Sequence, residues 1–297
     1  MKKLCVTGSL HLDVIVEAPH LPRIDETVNG LKVDYIFGGK GGNQALAADQ
    51  HGAKVYLIGR IGADAFGKKI ESTLKKTSID INQLQKDQGA SGMSVAIVDS
   101  NGDYGAVIVS AANSKIDEKY FSISENTGII LLQNEVPEQV NLATSRDARR
   151  KNVEVWLNAA PERKLSKELL SQVDVLIINR IESEAYADIL KEKETKHITK
   201  ILTFGADGLE IHFPNGQKES HPSYQVKAVS SHGAGDVFVG ALAARRLAGD
   251  KFEAALNYAQ AASALHVSSN LQIRRELNAA AVFAFLDSNK RKGITSN

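Results

Sequence analysis

Val173-Asp174-Val175-Leu176-Ile177-Ile178 is a short, almost wholly aliphatic run bounded by polar residues. A continuous apolar stretch of this length suits a strand covered on both faces, as in a parallel sheet. The pattern recurs on either side of it, at residues 54–58, 128–132, 153–157 and 200–204, and Leu4-Cys5-Val6-Thr7-Gly8 reads as a buried first strand. Between these runs, residues 44–50, 65–75, 137–149, 182–191, 234–247, 252–266 and 274–286 show apolar residues at three-to-four-residue spacing with charged remaining faces, as amphipathic helices do. Strand–helix alternation of this kind predicts an α/β fold with an open, doubly wound, mostly parallel sheet.

Two segments break the rhythm. Within 10–37 and 90–111 the apolar residues alternate with period two, as in Asp13-Val14-Ile15-Val16-Glu17 and in 93–98 followed by Asn101-Gly102-Asp103 and 105–109. An Asn-Gly step between apolar runs is a strong hairpin signal. The two excursions are expected to form one small antiparallel β lid, leaving 1–9, 38–89 and 112–297 as the α/β domain. A lid of strands over an active site is one reading and an edge extension or dimer surface is another; the two are compatible. The polar tail from Asn289 to Asn297 is expected to fray.

The chain has 297 residues, 36 Lys+Arg against 35 Asp+Glu, a net charge of +1, 8 His and a single Cys, Cys5, with 43% hydrophobic residues. At ~100–200 residues per domain this is one large domain or two moderate ones. A chain of this size buries roughly 75% of its unfolded surface and needs no covalent staple. Balanced charge argues against a nucleic-acid partner, which a large Lys/Arg excess on one face would have to hold. A lone Cys excludes an intramolecular disulfide and a Cys-based zinc cluster and suits a reducing compartment. The stretch after Met1-Lys2-Lys3 is far too short for a signal sequence, and no segment approaches the ~18 apolar residues of a membrane span. These features predict a cytoplasmic enzyme without a membrane partner.

The strongest chemical signal is Ser230-Ser231-His232-Gly233-Ala234-Gly235-Asp236-Val237-Phe238, which enters an Ala-rich helix. Gly233 and Gly235 lack Cβ atoms where backbone N–H groups can point outward, and a helix N-terminus adds partial positive charge, so the turn suits an anion. Asp236 in that first turn is either a simple dipole-stabilising residue or a general base beside a transferring phosphoryl group. A second cluster, Phe37-Gly38-Gly39-Lys40-Gly41-Gly42-Asn43-Gln44-Ala45, opens a helix. So many glycines are entropically costly unless backbone must approach a ligand. The spacing is not that of a Walker A loop. Lys40 and Asn43 can donate to hydroxyls or phosphate, although a solvated lysine in a turn would look the same.

Together with Gly8-Ser9 and Asp13, these two clusters resemble the signature regions of ribokinase and the wider PfkB family of carbohydrate kinases. Between them, Leu132-Gln133-Asn134-Glu135 looks like the family's sugar-contacting Glu segment, Asn179-Arg180-Ile181-Glu182 fits its Asn-x-x-Glu motif, and Thr203-Phe204-Gly205-Ala206-Asp207-Gly208 resembles its nucleotide-side turn. The resemblance runs through nearly the whole chain. It implies an ATP-dependent kinase that transfers the γ-phosphate to a primary hydroxyl of ribose or a related sugar, with a ribonucleoside or pseudouridine kinase as the alternative. A non-catalytic sugar-binding protein on the same scaffold is the contrasting class, and retention of Asp236 and the Gly-Ala-Gly turn argues against it.

On the family pattern, Asp236 is the base, and the N–H groups of Gly233, Ala234 and Gly235 stabilise the transferring phosphoryl. A placed base contributes about 10²–10⁴-fold, and one anion-hole donor roughly 10²–10³-fold. His11, Asp13, Gly39, Lys40, Asn43 and Glu135, with Asp236, fall on the sugar side. Asn179, Thr203, Gly205 and Gly208 fall on the nucleotide side. Asn179 and Glu182, at i and i+3, can face a hydrated Mg²⁺ through water; an Asn there can equally be only a helix cap.

Three departures stand out. His11 occupies the place of a usual Asn. Ser230-Ser231 replaces a usual Asp-Thr that helps bind a monovalent cation, and the segment Val267-Ser268-Ser269-Asn270-Leu271-Gln272-Ile273-Arg274-Arg275 lacks the expected glycine. The monovalent cation site is therefore expected to be lost, with Arg274 or Arg275 supplying its charge unless both are simply solvated. His232 is expected to contribute only backbone. His20, His51, His197, His212, His221 and His266 show no metal-ligand spacing and are expected on the surface or in the core. Open edges on the lid suggest a homodimer formed through it.

Overall fold

The computed structural model describes residues 2–101 and 103–291. Its strands are β1 (Lys3–Thr7), β2 (His11–Glu17), β3 (Lys32–Gly38), β4 (Val55–Gly62), β5 (Leu84–Asp87), β6 (Gly92–Val98), β7 (Tyr104–Val109), β8 (Thr127–Gln133), β9 (Glu154–Asn158), β10 (Val175–Asn179), β11 (Thr199–Thr203), β12 (Leu209–His212) and β13 (Lys218–His221). Nine of them form one sheet in the order β13-β12-β11-β10-β9-β8-β1-β4-β5. It is parallel from β11 to β5, and β12 and β13 extend it antiparallel at one edge.

The wholly apolar runs form strands because each alternates between two cores. Leu4, Val6, Ile129, Leu131, Trp156, Val175 and Ile177 face one layer; Cys5, Ile130, Leu132, Val155, Leu157, Leu176 and Ile178 face the other. Helices α1 (Lys40–Gln50), α6 (Ala234–Leu247) and α7 (Phe252–Ser268) contribute Ala-rich faces to the first layer. Helices α3 (Glu138–Arg150) and α4 (Lys167–Leu170) contribute to the second. Helices α2 (Ala65–Leu74), α5 (Arg180–Ala185), α8 (Leu271–Arg274) and α9 (Ala279–Arg291) complete the set. The chain leaves β1 towards β4 on one side and later returns to β8 on the other. The resulting switch point opens a crevice at the carboxyl ends of the strands.

The remaining strands form a four-stranded sheet, β3-β2-β6-β7. Each excursion is an antiparallel hairpin, as expected, but the seam between them, β2 against β6, runs parallel from His11↔Gly92 to Glu17↔Val98. Both strands leave the main sheet at its crevice end and so travel in the same direction. Gly102 of the Asn-Gly turn lies outside the described residues, and Asp99 N–H donates to the Asp103 carbonyl across that turn at 2.9 Å.

Three helices differ from expectation. Helix α1 begins at Lys40, so Gly41 and Gly42 are helical. The segment starting at Glu182 is helical only to Ala185, beginning at Arg180. The expected 274–286 helix is broken: α8 ends at Arg274, and a new start forms where Asn278 Oδ1 accepts from Ala280 and Ala281 N–H at 3.0 and 3.2 Å. The tail expected to fray from Asn289 is helical to Arg291, and residues 292–297 lie outside the described residues.

Candidate active site

The crevice gathers polar residues from the carboxyl ends of successive strands: Ser9 after β1, Gln133 and Glu135 at β8, Asn158 at β9, Asn179 at β10 and Thr203 at β11. Helix α6 points its N-terminus at them. Gly233 caps this helix with φ 76°, a left-handed conformation that favours glycine. Apart from its chain neighbours and the backbone of its own helix, no atom stands within 4 Å of where a Cβ on Gly235 would sit, which leaves open space against the first turn of α6. An anion fits there, next to partly unsatisfied backbone donors. Of the three N–H groups expected to face it, that of Ala234 donates to the Ser231 carbonyl at 3.2 Å, a bond an anion must share or displace.

Asp236 is buried at the edge of this space and is held by amides. Its Oδ2 accepts from Asn43 Nδ2 at 3.2 Å and its Oδ1 from Gln44 Nε2 at 3.0 Å. Gln44 also donates to Asn158 Oδ1 at 3.0 Å, while its Oε1 accepts from Gln133 Nε2 at 2.9 Å, which fixes the orientation of its amide. Burial raises the Asp236 pKa; the Lys40 charge and the Gln44 and Asn43 hydrogen bonds oppose that rise, and the Glu135 charge adds to it. A fixed carboxylate with raised proton affinity is suited to accept a proton.

Gly41 explains how Asn43 and Gln44 reach Asp236. An added Cβ there would stand 2.6 Å from the Gly8 carbonyl carbon and 2.7 Å from Ser9 N, so only glycine lets α1 pack on the turn after β1. Glu135 closes the same corner, its Oε2 accepting from Lys40 N–H at 2.8 Å and from the Ser9 hydroxyl. This carboxylate at a helix start also places a negative charge beside Lys40.

His11 and Asp13 share one face of lid strand β2, two residues apart. Asp13 Oδ1 accepts from Ser94 Oγ at 2.6 Å. His11 is 3% exposed, and its Nε2 has no hydrogen-bond partner among the described residues. Gly39 immediately precedes α1, beside them at the lid's base.

Asn179 and Glu182 form a reciprocal capping box on α5. Glu182 N–H donates to Asn179 Oδ1 at 2.9 Å, and Asn179 N–H donates to Glu182 Oε2 at 2.8 Å. The cap reading of Asn179 therefore holds whatever else it does. Burial raises the Glu182 pKa, the Lys40 charge counters this, and the Asp236 charge adds to it, so the three groups share one field. Among the described residues no three His, Cys, Asp or Glu side chains cluster as a metal site. A single buried carboxylate with a neighbouring amide fits Mg²⁺ that keeps most of its water and shares the phosphates, not an all-protein cage.

Lys40, Asn158, Asn179, Glu182, Thr203 and the Gly233–Asp236 turn line a cavity of about 180 Å³. A more apolar cavity of about 320 Å³ adjoins it, sharing Thr203, Ser231, Ala234, Gly235 and Phe238 and adding Gly205, Gly208 and Tyr224. A polar chamber at the base and an apolar cleft across the anion turn match a phosphate chain and a flat ring. A larger depression of about 620 Å³, lined in part by Arg60, Lys115 and Arg146, contains none of these residues. Gln44 and Gln133 lie inside the sequence motifs without a role that residue type alone assigns, and Asn158 lies outside them. Asn158 is marked in the sequence only as a polar residue that ends an apolar strand.

Arg274 is buried while Arg275 is exposed, and His266 stands beside the anion turn, its Nε2 2.9 Å from the His232 carbonyl.

Fold and site define a phosphoryl-transferring enzyme of the α/β class. Residues 1–275 match the pfkB family of carbohydrate kinases, and the chain belongs to that family. It is an ATP-dependent carbohydrate kinase. It is similar to the ribokinase of Bacillus subtilis (strain 168), 31% identical over 275 residues that span 91% of this chain and 94% of the relative. Among solved structures it is similar to the ribokinase of Thermotoga maritima, with 28% identity, TM-score 0.86 and coverage of 97% and 100% of the two chains. The Arabidopsis thaliana ribokinase complexed with ribose and ATP is 26% identical, with TM-score 0.86 and coverage of 96% and 98%. Among the described residues no helix is long and apolar enough to cross a membrane.

Proposed function

We propose that the chain phosphorylates a primary hydroxyl of ribose or a closely related sugar, with Asp236 as base. The observation that carries this is the Asp236 carboxylate, buried beside the open anion turn and raised in proton affinity by its surroundings. Asp236 accepts the hydroxyl proton as the sugar oxygen bonds to the γ-phosphorus, the bond to the bridging oxygen breaks, and ADP leaves. Gly233, Ala234 and Gly235 N–H groups stabilise charge on the transferring phosphoryl. Lys40, Asn43 and Glu135 at the start of α1, with Gly39 and with His11 and Asp13 on the lid, orient the sugar; groups that both donate and accept suit a polyol. Thr203, Gly205 and Gly208 line the nucleotide cleft. Asn179 and Glu182 would hold Mg²⁺ through water, and the ion would neutralise phosphate charge.

On this reading no free monovalent cation is needed. Val107 and Ile108 are exposed on the lid, and with its open edges they favour a homodimer formed through that sheet. A single buried thiol, Cys5, suits a reducing cytoplasm.

A panel of pentoses, hexoses and nucleosides scored by ADP release tests the reading. Ribose or a near relative is expected to give the highest kcat/KM, and a nucleoside turned over faster than every free sugar would overturn the assignment.

A further inference from the structure

Four main-chain carbonyls from two segments converge on one side chain. Arg274, at the end of α8, is 8% exposed. Its Nε donates to the His266 and Ser269 carbonyls at 2.8 and 2.9 Å, its Nη1 to the His232 carbonyl at 3.3 Å, and its Nη2 to the Ser230 carbonyl. Ser230 and His232 belong to the loop that runs into Gly233. His266 and Ser269 lie at the C-terminal end of α7, where carbonyls are left without helical partners and carry partial negative charge. Burial alone lowers the Arg274 pKa, and no carboxylate among the described residues acts on it. A guanidinium stays charged in such surroundings and offers five donors in a fixed plane. Carbonyl dipoles arranged around a desolvated positive charge form a cation cage, here filled by the chain's own side chain.

The cage bears on the anion turn through the planarity of the peptide group. In a trans peptide the carbonyl of one residue and the N–H of the next point in opposite directions. Holding the His232 carbonyl towards Arg274 therefore turns the Gly233 N–H away from it, towards the mouth of α6. His266 Nε2 supplies a second donor to the same carbonyl at 2.9 Å. The loop is otherwise tied only lightly: Val229 and Ser230 N–H donate to the Val267 carbonyl at 2.7 and 3.2 Å, and residues 230–232 are exposed.

We propose that Arg274 is a positioning residue and built-in cation that orients the Ser230 and His232 peptides, so that the anion turn is set for phosphoryl transfer without a free monovalent cation. This rests on the kinase reading above. It assigns the role to Arg274 and not to its exposed neighbour Arg275.

The test compares wild type, Arg274→Ala, Arg274→Lys and Arg275→Ala in the ADP-release assay, with and without K⁺ or guanidinium. Wild type and Arg275→Ala are expected to be indifferent to K⁺. Arg274→Ala is expected to lose kcat on the order of 10²-fold, as small misplacements of catalytic groups do, with little change in sugar KM. Added K⁺ or guanidinium, but not tetramethylammonium, should restore part of that loss, which a merely structural role would not produce. Strong K⁺ activation of wild type, or a folded Arg274→Ala enzyme with unchanged kcat, overturns the proposal. If the Ala variant does not fold, Arg274→Lys decides: its ammonium cannot reach four carbonyls, so kcat must fall, and an unchanged kcat overturns the proposal. Calorimetric affinity for a non-hydrolysable ATP analogue relative to ADP needs no sugar acceptor. Arg274→Ala must weaken binding of the analogue more than binding of ADP, and an unaltered ratio of the two affinities counts against the proposal. A wild type that phosphorylates no acceptor would fail the kinase reading, whereas an active wild type matched by Arg274→Ala fails this inference alone.

Discussion

Replacing Asp236 with asparagine separates what this residue does for catalysis from what it does for stability. The Gln44 amide cannot turn over, because its Oε1 is held by Gln133 Nε2 at 2.9 Å, so it continues to offer an N–H to position 236. The new amide oxygen must therefore face Gln44 and the new NH₂ must face Asn43, whose own amide can rotate to accept. Both hydrogen bonds survive, now between neutral groups, with a loss of about 1 kcal/mol. Removing a charge whose burial is unfavourable works in the opposite direction. The net change in stability at neutral pH is expected to lie within about 1 kcal/mol of zero, small for a buried position.

Catalysis has no such compensation, because an amide cannot accept the hydroxyl proton. Losing a placed base costs about 10²–10⁴-fold in kcat, or roughly 2.7–5.4 kcal/mol of barrier. The pH dependence adds a signature. Asp236 has a raised pKa, so between the ordinary carboxylate range and its native value the folded state binds more protons than the unfolded state. Its contribution to stability then falls as pH rises through that window. The variant lacks this fall, so its stability relative to wild type should increase across the window and level off above it. Coupled ADP-release kinetics and urea unfolding at several pH values measure both effects. A kcat within tenfold of wild type, or a neutral-pH stability loss of several kcal/mol, would refute the reasoning.

Gln44→Leu leaves Gln133, Asn158 and Asp236 each short of a hydrogen-bond partner, so urea unfolding should show a loss of about 2–5 kcal/mol. The same change removes an interaction that lowers the Asp236 pKa, so the acid limb of kcat/KM should move to higher pH. Gly41→Ala drives a methyl against the Gly8–Ser9 backbone, and a loss of about 1–3 kcal/mol is expected with a raised sugar KM as α1 shifts. Glu182→Gln keeps an oxygen for the capping box but removes the charge. Its unfolding midpoint should stay near that of wild type, while the Mg²⁺ concentration for half-maximal rate rises about 10–100-fold.

The strands of the central sheet were legible because their burial on both faces demands unbroken aliphatic runs, as at 153–157 and 173–178. Strand β12 and the edge strand β13 are short, and residues such as Glu210 and Lys218 break the apolar pattern, so composition does not mark them. The extent of α1 was hidden because Gly41 and Gly42 have poor intrinsic helix propensity. Packing against Gly8 and the Glu135 carboxylate at Lys40 N–H overrides that preference. The parallel seam of the lid depends on the route of the chain between the hairpins, which local alternation does not encode. In the site, the glycine turns and Asp236 stand out by residue type, whereas Gln44 looks like any polar helix residue until the fold sets it between Asn158 and Asp236. Arg274 and Arg275 are chemically identical in sequence, and only the turn of α8 sends one inward.

The seam between β2 and β6 also has a consequence for how the protein assembles. Asp13 gains its Ser94 hydrogen bond from a residue 81 positions further along the chain. The intervening chain includes β4 and β5, which extend the main sheet, and α2. Closing so long a loop is entropically unfavourable until those elements are in place. The first hairpin can form early as an isolated pair, but the face that carries His11 and Asp13, the sugar contacts proposed above, becomes complete only when the second hairpin docks along it. A nascent or refolding chain therefore acquires its scaffold before its substrate face, and sugar-binding capacity should be among the last native properties to appear.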